Sequence, residues 1–197
     1  MSRVLGQRGS DNRRQNLSLV FRSILRQGAL PRAEIVRSTG MSAATVTTLT
    51  GRLLEAGLLV ELPPETSAVG RPRVPLGVAS EAFLTVGVHL GPRQAGVSLV
   101  RLDGTELASV LVNHEGMSPR KTMNRIVATA DALLAEHGGA ATVLGTGIAT
   151  GGTVDRDRGV VVRHEKMGWA KPADLDALTG SRLPRPLVIE KNTRAAA

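Results

Sequence analysis

The sequence predicts an α+β chain built in two parts, and three observations predict it. Apolar residues first recur at helical spacing in three short blocks that end in two candidate strands. A Pro- and Gly-punctuated stretch, 62–72, follows the first of those strands. Beyond residue 80 the pattern changes to strand-like runs around one long helical segment, the mark of a mixed sheet in an α/β layer.

The elements follow in order. Leu17, Val20, Phe21, Ile24 and Leu25 predict an amphipathic helix over 12–27, stopped by Gly28. Pro31 suits the first turn of a second helix, 32–38, with Ala33, Ile35 and Val36 for packing. Thr39, Gly40 and Met41 make a tight connection. Ser42 then caps a third helix running to about Ala56, with Val46, Leu49, Leu53 and Leu54 as its buried stripe. Gly57 ends it, Leu58–Glu61 reads as a short strand, and Val74–Val78 as its return. Helix, helix, Gly turn, helix and hairpin is the layout of a winged helix-turn-helix over 16–78, preceded by a basic arm, 1–15.

In the second part, Phe83–His89, Ala95–Arg101 and Leu107–Val112 predict three hairpin-linked strands, with Asp103-Gly104 as one turn. Ser118-Pro119 opens a helix to about His137, stopped by Gly138-Gly139. Val143–Ala149 is a buried strand entering Thr150-Gly151-Gly152. A short helix at 174–179 and a strand at 187–190 close the pattern.

Charge narrows the function. The 197 residues carry a net charge of +8, with 25 basic and 17 acidic side chains. Residues 1–76 alone hold eleven arginines, no lysine and five acids, so most of the excess lies in the first two-fifths. Such a field favours a polyanion, and guanidinium groups suit phosphate and guanine. The third helix exposes Ser42, Ala43, Thr45, Thr47, Thr48 and Arg52, small or hydrogen-bonding at its N-terminal end, where a major groove would meet them. Arg71 and Arg73, on a Pro-stiffened tip, suit an adjacent minor groove. Arg22, Arg26 and Arg32 are candidate phosphate contacts, as are Arg3, Arg8, Arg13 and Arg14 of the arm. The predicted partner is double-stranded DNA, bound by a homo-oligomer on two half-sites.

Other chemistries are weakly offered. With no cysteine there are no disulfides or thiolate metal sites. No run of 18 apolar residues offers a membrane span and no apolar leader is present, so the expected location is the cytoplasm. The four histidines lack ligand spacing and read as structural or surface residues; no metal or cofactor is expected. Asp155 and Asp157 read as a solvated turn. Gly145, Thr146, Gly147, Gly151 and Gly152 lack the Lys-Ser/Thr of a phosphate loop and read as a strand-end turn.

The stretches RAEIVRSTGMSAATVTTLTGRLLEAGLLVE, VGRPRVPL, FLTVGVHLGPRQAGVSLVRLDG, GTGIATGGTVDRDRGVVV, MGW and PLVIEKNTRAAA resemble the ROK family (repressors, open reading frames and sugar kinases) in order and spacing from about residue 14 onward. The match is with its transcriptional-regulator branch. The resemblance implies that residues 79–197 form part of an actin-like, ribonuclease H-like α/β lobe and that the protein is a sugar-responsive regulator, expected to repress. It also implies a ligand-binding role for Glu190, Lys191 and Asn192. Two departures bear on catalysis. The family's first-strand Asp and Gly-rich turn correspond to His89-Leu90-Gly91-Pro92, where Pro92 has no N–H to give a phosphate. The catalytic Asp corresponds to Asn192, and an amide cannot take a proton. A sugar kinase is therefore the disfavoured alternative, no enzyme is expected, and Lys191 weakens the case for a sugar. The family's second lobe would lie beyond Ala197, so a non-functional truncation is the third reading. Half a lobe also leaves apolar surface, which predicts dimerisation or poor solubility.

Overall fold

The computed structural model describes residues 2–64 and 73–195, with side chains over 12–64 and 73–193. Two compact units result, Met1–Ser80 and Glu81–Ala197.

The first unit holds α1 (Ser2–Gln27), β1 (Leu30–Pro31), α2 (Arg32–Thr39), α3 (Ala43–Glu55), β2 (Leu59–Glu61) and β3 (Pro75–Val78). Val20 and Ile24 of α1, Ile35 of α2 and Val46, Leu49 and Leu53 of α3 close over Leu30, Leu59 and Leu76 as one core. The stripe expected for the third helix is its buried face. Gly40, at φ 71°, ends α2 in the left-handed conformation that the connection to α3 requires.

Three expectations change here. The helix does not begin at residue 12 but runs unbroken from Ser2, because lengthening a formed helix costs far less than starting one. Pro31 is not in the first helical turn: at ψ 148° it lies in β1, opposite Pro75 of β3. Two prolines face to face have no N–H to exchange, so the ladder stops there. The sheet is consequently three-stranded, β1-β3-β2, rather than a plain hairpin. The tip carrying Arg71 lies outside the described residues.

The second unit runs β4 (Phe83–Leu90), β5 (Gln94–Arg101), β6 (Glu106–Asn113), α4 (Pro119–His137), β7 (Thr142–Thr150), β8 (Thr153–Asp155), β9 (Val160–Arg163), β10 (Ala173–Asp174), α5 (Leu175–Thr179), β11 (Leu187–Lys191) and α6 (Asn192–Ala195). Its main sheet has the order β11-β7-β4-β5-β6. β4, β5 and β6 are an antiparallel meander, and β7 and β11 add in parallel to β4. This is the mixed sheet expected. Alternate residues of β4 and β5 (Leu84, Val86, Val88, Leu90; Ala95, Val97, Leu99) meet Met123, Ile126, Val127, Ala130 and Leu133 of α4. Trp169, 4 % exposed, packs in the same core.

A small antiparallel sheet, β10-β9-β8, was not anticipated. Asp155, at its turn, accepts the Arg158 N–H at 3.2 Å, so the Asp-Arg-Asp-Arg-Gly stretch works as a turn. The glycines of 145–147 are not a strand-end turn: they lie inside β7, where two residues face one of β4 in a bulge. Gly151 and Gly152 alone stand at the strand end.

Candidate nucleic-acid interface and ligand cleft

Ser42 starts α3 as its cap: its Oγ accepts the Thr45 N–H at 3.2 Å and lies 2.8 Å from Thr45 Oγ1. Val46, Leu49, Thr50 and Leu53 are buried, which turns the opposite face outward. On that face Ala43, Ala44, Thr47, Thr48 and Arg52 are exposed, and Thr45 is half-buried. Gly51 lies on the same side, and a Cβ there would meet nothing within 4 Å. The face is low in profile and open to a close approach. The threonines do not offer free donors, however. Thr47 donates its hydroxyl hydrogen to the Ala43 carbonyl at 2.9 Å, and Thr48 to the Ala44 carbonyl at 3.0 Å. Each keeps an accepting lone pair and a methyl group.

The arginines divide. Arg22, Arg26 and Arg52 are exposed. Arg32 is instead tied within the domain: Nε donates to Thr50 Oγ1 at 3.3 Å, and NH2 meets Glu61 Oε1 at 3.0 Å. It joins α2 to α3 and β2, so it is better placed to brace the domain than to reach a phosphate. Arg73, 59 % exposed, lies 3.8 Å from Glu34 of α2, which also pairs with Arg37 at 3.2 Å. The Arg32–Glu61 and Arg73–Glu34 contacts span 29 and 39 residues, so periodicity could not reveal them. Because the Arg32–Glu61 pair is partly exposed, Arg32→Ala is expected to cost the domain about 0.5–1 kcal/mol, and Glu61→Ala about the same. A double-mutant cycle of urea midpoints checks this: the combined variant should lose less than the two separate losses together.

In the second unit a cavity of about 420 Å³ opens at the C-terminal ends of β4 and β7. Of the three residues given a ligand role by resemblance, Asn192 alone lines it. Glu190 is held by Arg156 Nε at 2.9 Å and accepts the Lys191 N–H at 2.9 Å, and Lys191 points to solvent. Consecutive residues 190 and 191 face opposite sides of β11, and Asn192 opens α6 beyond it. His89, not anticipated as a site residue, is 3.1 Å from Asn192. His164 is 4 % exposed, and neither its Nε2 nor Asn192 Oδ1 has a partner among the described residues. Gly151 separates them: a Cβ on it would lie 3.8 Å from His164 Nε2 and 3.9 Å from Asn192 Nδ2. These side chains come from positions 89, 164 and 192, joined only by the topology. Among the described residues no group of three or more metal-ligating side chains gathers.

Burial holds the His164 pKa below its ordinary value of 6.5, with His114 and Lys166 acting in the same direction against a backbone hydrogen bond. The folded unit therefore prefers neutral His164, while the unfolded chain binds the proton more readily. This contribution to stability is complete above the unfolded pKa and is lost as pH falls from there through the folded pKa. The melting temperature of the second unit should drop between pH 7.5 and 5.5, and His164→Gln should flatten that dependence. Differential scanning calorimetry tests it, and an equal slope in both proteins would refute it.

The fold and these features define a class: a helix-turn-helix domain with a β ribbon, joined to a lobe of actin-like topology. No family model matches the chain. Among curated relatives, it is 32 % identical over 180 residues to a transcriptional regulator of Mycobacterium bovis, 90 % of this chain and 40 % of that protein. It is 24 % identical over 187 residues to the xylose repressor of Bacillus subtilis. Over 93 residues it is 31 % identical to the DNA-binding transcriptional dual regulator NagC of Escherichia coli, covering 47 % of this chain. The chain spans 40 % of the length of the mycobacterial relative. Among solved structures, a ROK family transcriptional regulator, a homologue of the E. coli MLC protein, matches with TM-score 0.70 and 21 % identity, over 91 % of this chain and 46 % of that one. The ROK hexokinase of Thermus thermophilus matches 58 % of this chain with TM-score 0.51 and 20 % identity. In sequence the chain is similar to these transcriptional regulators, and its fold is that of a ROK family member. No helix of the described residues is long and apolar enough to cross a membrane.

Proposed function

We propose that this chain is the DNA-binding part of a sequence-specific transcriptional repressor of the ROK type, acting in the cytoplasm as a homo-oligomer on double-stranded DNA. The observation that carries this reading is the outward face of α3, where Ala43, Thr45, Thr47, Thr48 and Arg52 leave a flat, uncharged N-terminal half and a guanidinium behind it. Ser42 belongs with them as the cap. The helix lies in the major groove with its first two turns against base edges. Since the Thr47 and Thr48 hydroxyl hydrogens are engaged, the two side chains read bases as acceptors of an amino N–H and as methyl contacts to thymine. Arg73, and Arg71 outside the described residues, serve the neighbouring minor groove. Arg22 and Arg26 hold phosphates, and Arg32 braces α3. The names of the relatives support this reading.

The second unit binds a small effector, of the sugar class, without catalysis. The cavity beside His89, His164 and Asn192 supports binding, because buried polar atoms without partners are costly until a ligand or water meets them. Asn192, where the resemblance puts a carboxylate base, speaks against phosphoryl transfer. Selection of bound duplexes from a random pool, repeated at two salt concentrations, tests the proposal. One enriched motif at both concentrations, with affinity falling as salt rises, is the expected result. A pool with no enriched motif overturns sequence-specific binding.

A further inference from the structure

β6 is an edge of the main sheet, and among the described residues its outer side has no strand partner. An edge of eight residues is a template for another strand unless it is short, bulged, or guarded by Lys or Pro. β6 reads Glu-Leu-Ala-Ser-Val-Leu-Val-Asn: a bulge at Leu107 marks its first residues, but from Ala108 to Asn113 it runs without a bulge and without Lys or Pro. It carries Leu111, which at 71 % exposure is the most exposed large apolar side chain described, and Val110 at 43 %.

Beside it, between β6 and α4, runs a groove of about 470 Å³. Its floor is Val110 and Val112, and its α4 wall is Ala128, Thr129 and Ala132. The two ends of that wall are oppositely charged, Arg125 at one and Glu136 at the other. Eleven residues of helix set them about 16 Å apart, with the alanines midway. Arg125 donates to the Asn113 carbonyl at 2.9 Å but has no carboxylate partner among the described residues. Glu136, 75 % exposed, has only its neighbour His137 at 3.7 Å.

A groove positive at one end, negative at the other and small in the middle is complementary to itself turned through 180°. An edge strand running antiparallel to its own copy is likewise self-complementary, since each offers the N–H and C=O groups the other lacks. An isologous contact needs this property and a heterologous partner does not. We propose that a second copy of this chain docks here about a two-fold axis, β6 against β6 and α4 against α4, with the central alanines at the axis. Arg125 then faces the partner subunit's Glu136 at both ends, and the five-stranded sheet becomes one of ten strands.

Sedimentation equilibrium of the full chain, without DNA, tests this independently of the DNA-binding reading. The unaltered chain should dimerise. Arg125→Glu and Glu136→Arg each place like charges at both ends and should weaken self-association about tenfold or more. An equal mixture of the two variants restores opposite charges at both ends, so it should dimerise as the unaltered chain does. Val110→Lys, which guards the edge as natural edges are guarded, should leave a folded monomer by circular dichroism. A chain that stays monomeric at every concentration, a dimer indifferent to both charge variants, or a mixture no better than its components overturns the proposal.

Discussion

Ala43→Glu should abolish specific DNA binding while leaving the first unit at least as stable as before. Ala43 is the first residue of α3, exposed, with no acidic residue in that turn. A carboxylate there lies beside the helix N-terminus, where unpaired N–H groups favour negative charge by about 0.3–1 kcal/mol. The fold therefore gains slightly. In the complex the same carboxylate would enter a groove walled by phosphates, lose its hydration and displace a flat contact. The expected loss is a hundredfold or more in affinity, about 2.8 kcal/mol at roughly 1.4 kcal/mol per tenfold. Arg52→Ala makes the companion measurement. If Arg52 reads a base, it costs about 1–3 kcal/mol and relaxes one position of the motif; if it holds a phosphate, it weakens every duplex alike and lowers the salt slope by about one. Anisotropy titrations against the selected duplex, alongside thermal melts, separate binding from stability. Unchanged affinity in Ala43→Glu would remove α3 from the interface.

The parts of this molecule that could be read from the chain are those whose cause is local. Ser42, Gly57 and the Val46–Leu49–Leu53 stripe bound α3 because a cap, a left-handed glycine and a 3.6-residue period all act within a few residues. The β4–β6 meander and α4 were legible for the same reason. What escaped was set by distant partners. β1 is two residues long and exists only because β3 runs beside it. Arg32 looks like a free cation until Glu61, 29 residues on, folds against it. The cleft is the extreme case: periodicity gives no sign that His89 and Asn192, 103 residues apart, meet across the end of β7, which lies between their strands. The resemblance pointed to that neighbourhood, yet Glu190 is held by Arg156 and Lys191 lies in solvent. For Thr47 and Thr48 of α3, the helical period foretold their exposure but not their hydrogen bonding, because back-bonding to the helix carbonyls appears only once the helix has formed.

Gly145→Ala should be among the most damaging single-methyl changes in the second unit, and its value lies in the contrast with Gly147→Ala two residues along the same strand. Gly145 has φ 151°, a conformation L side chains rarely adopt, within the bulge of β7. A Cβ there would stand 2.5 Å from the Pro186 carbonyl oxygen and 3.1 Å from Pro186 N. No rotamer relieves such a clash, because the obstacle is backbone. Nor is that backbone free to retreat: the Thr146 N–H donates to Pro186 O at 2.9 Å and Thr146 Oγ1 to Pro184 O at 2.9 Å. Either β7 shifts and strains its pairing with β4, or the 184–186 segment moves and loses both bonds. Backbone strain and overpacking each cost about 1–3 kcal/mol, so the two together come to about 3–5 kcal/mol. That is a large share of the roughly 5–15 kcal/mol that holds a domain folded. A Cβ on Gly147 meets nothing within 4 Å, so Gly147→Ala should change stability by about 0.5 kcal/mol or less. Urea denaturation followed at Trp169, the chain's single tryptophan, reports on this unit directly. Equal midpoints for the two variants would show that the close approach of Pro186 to Gly145 does not hold in solution. A phosphate loop predicts a different result: normal stability in Gly145→Ala with a loss of anion binding.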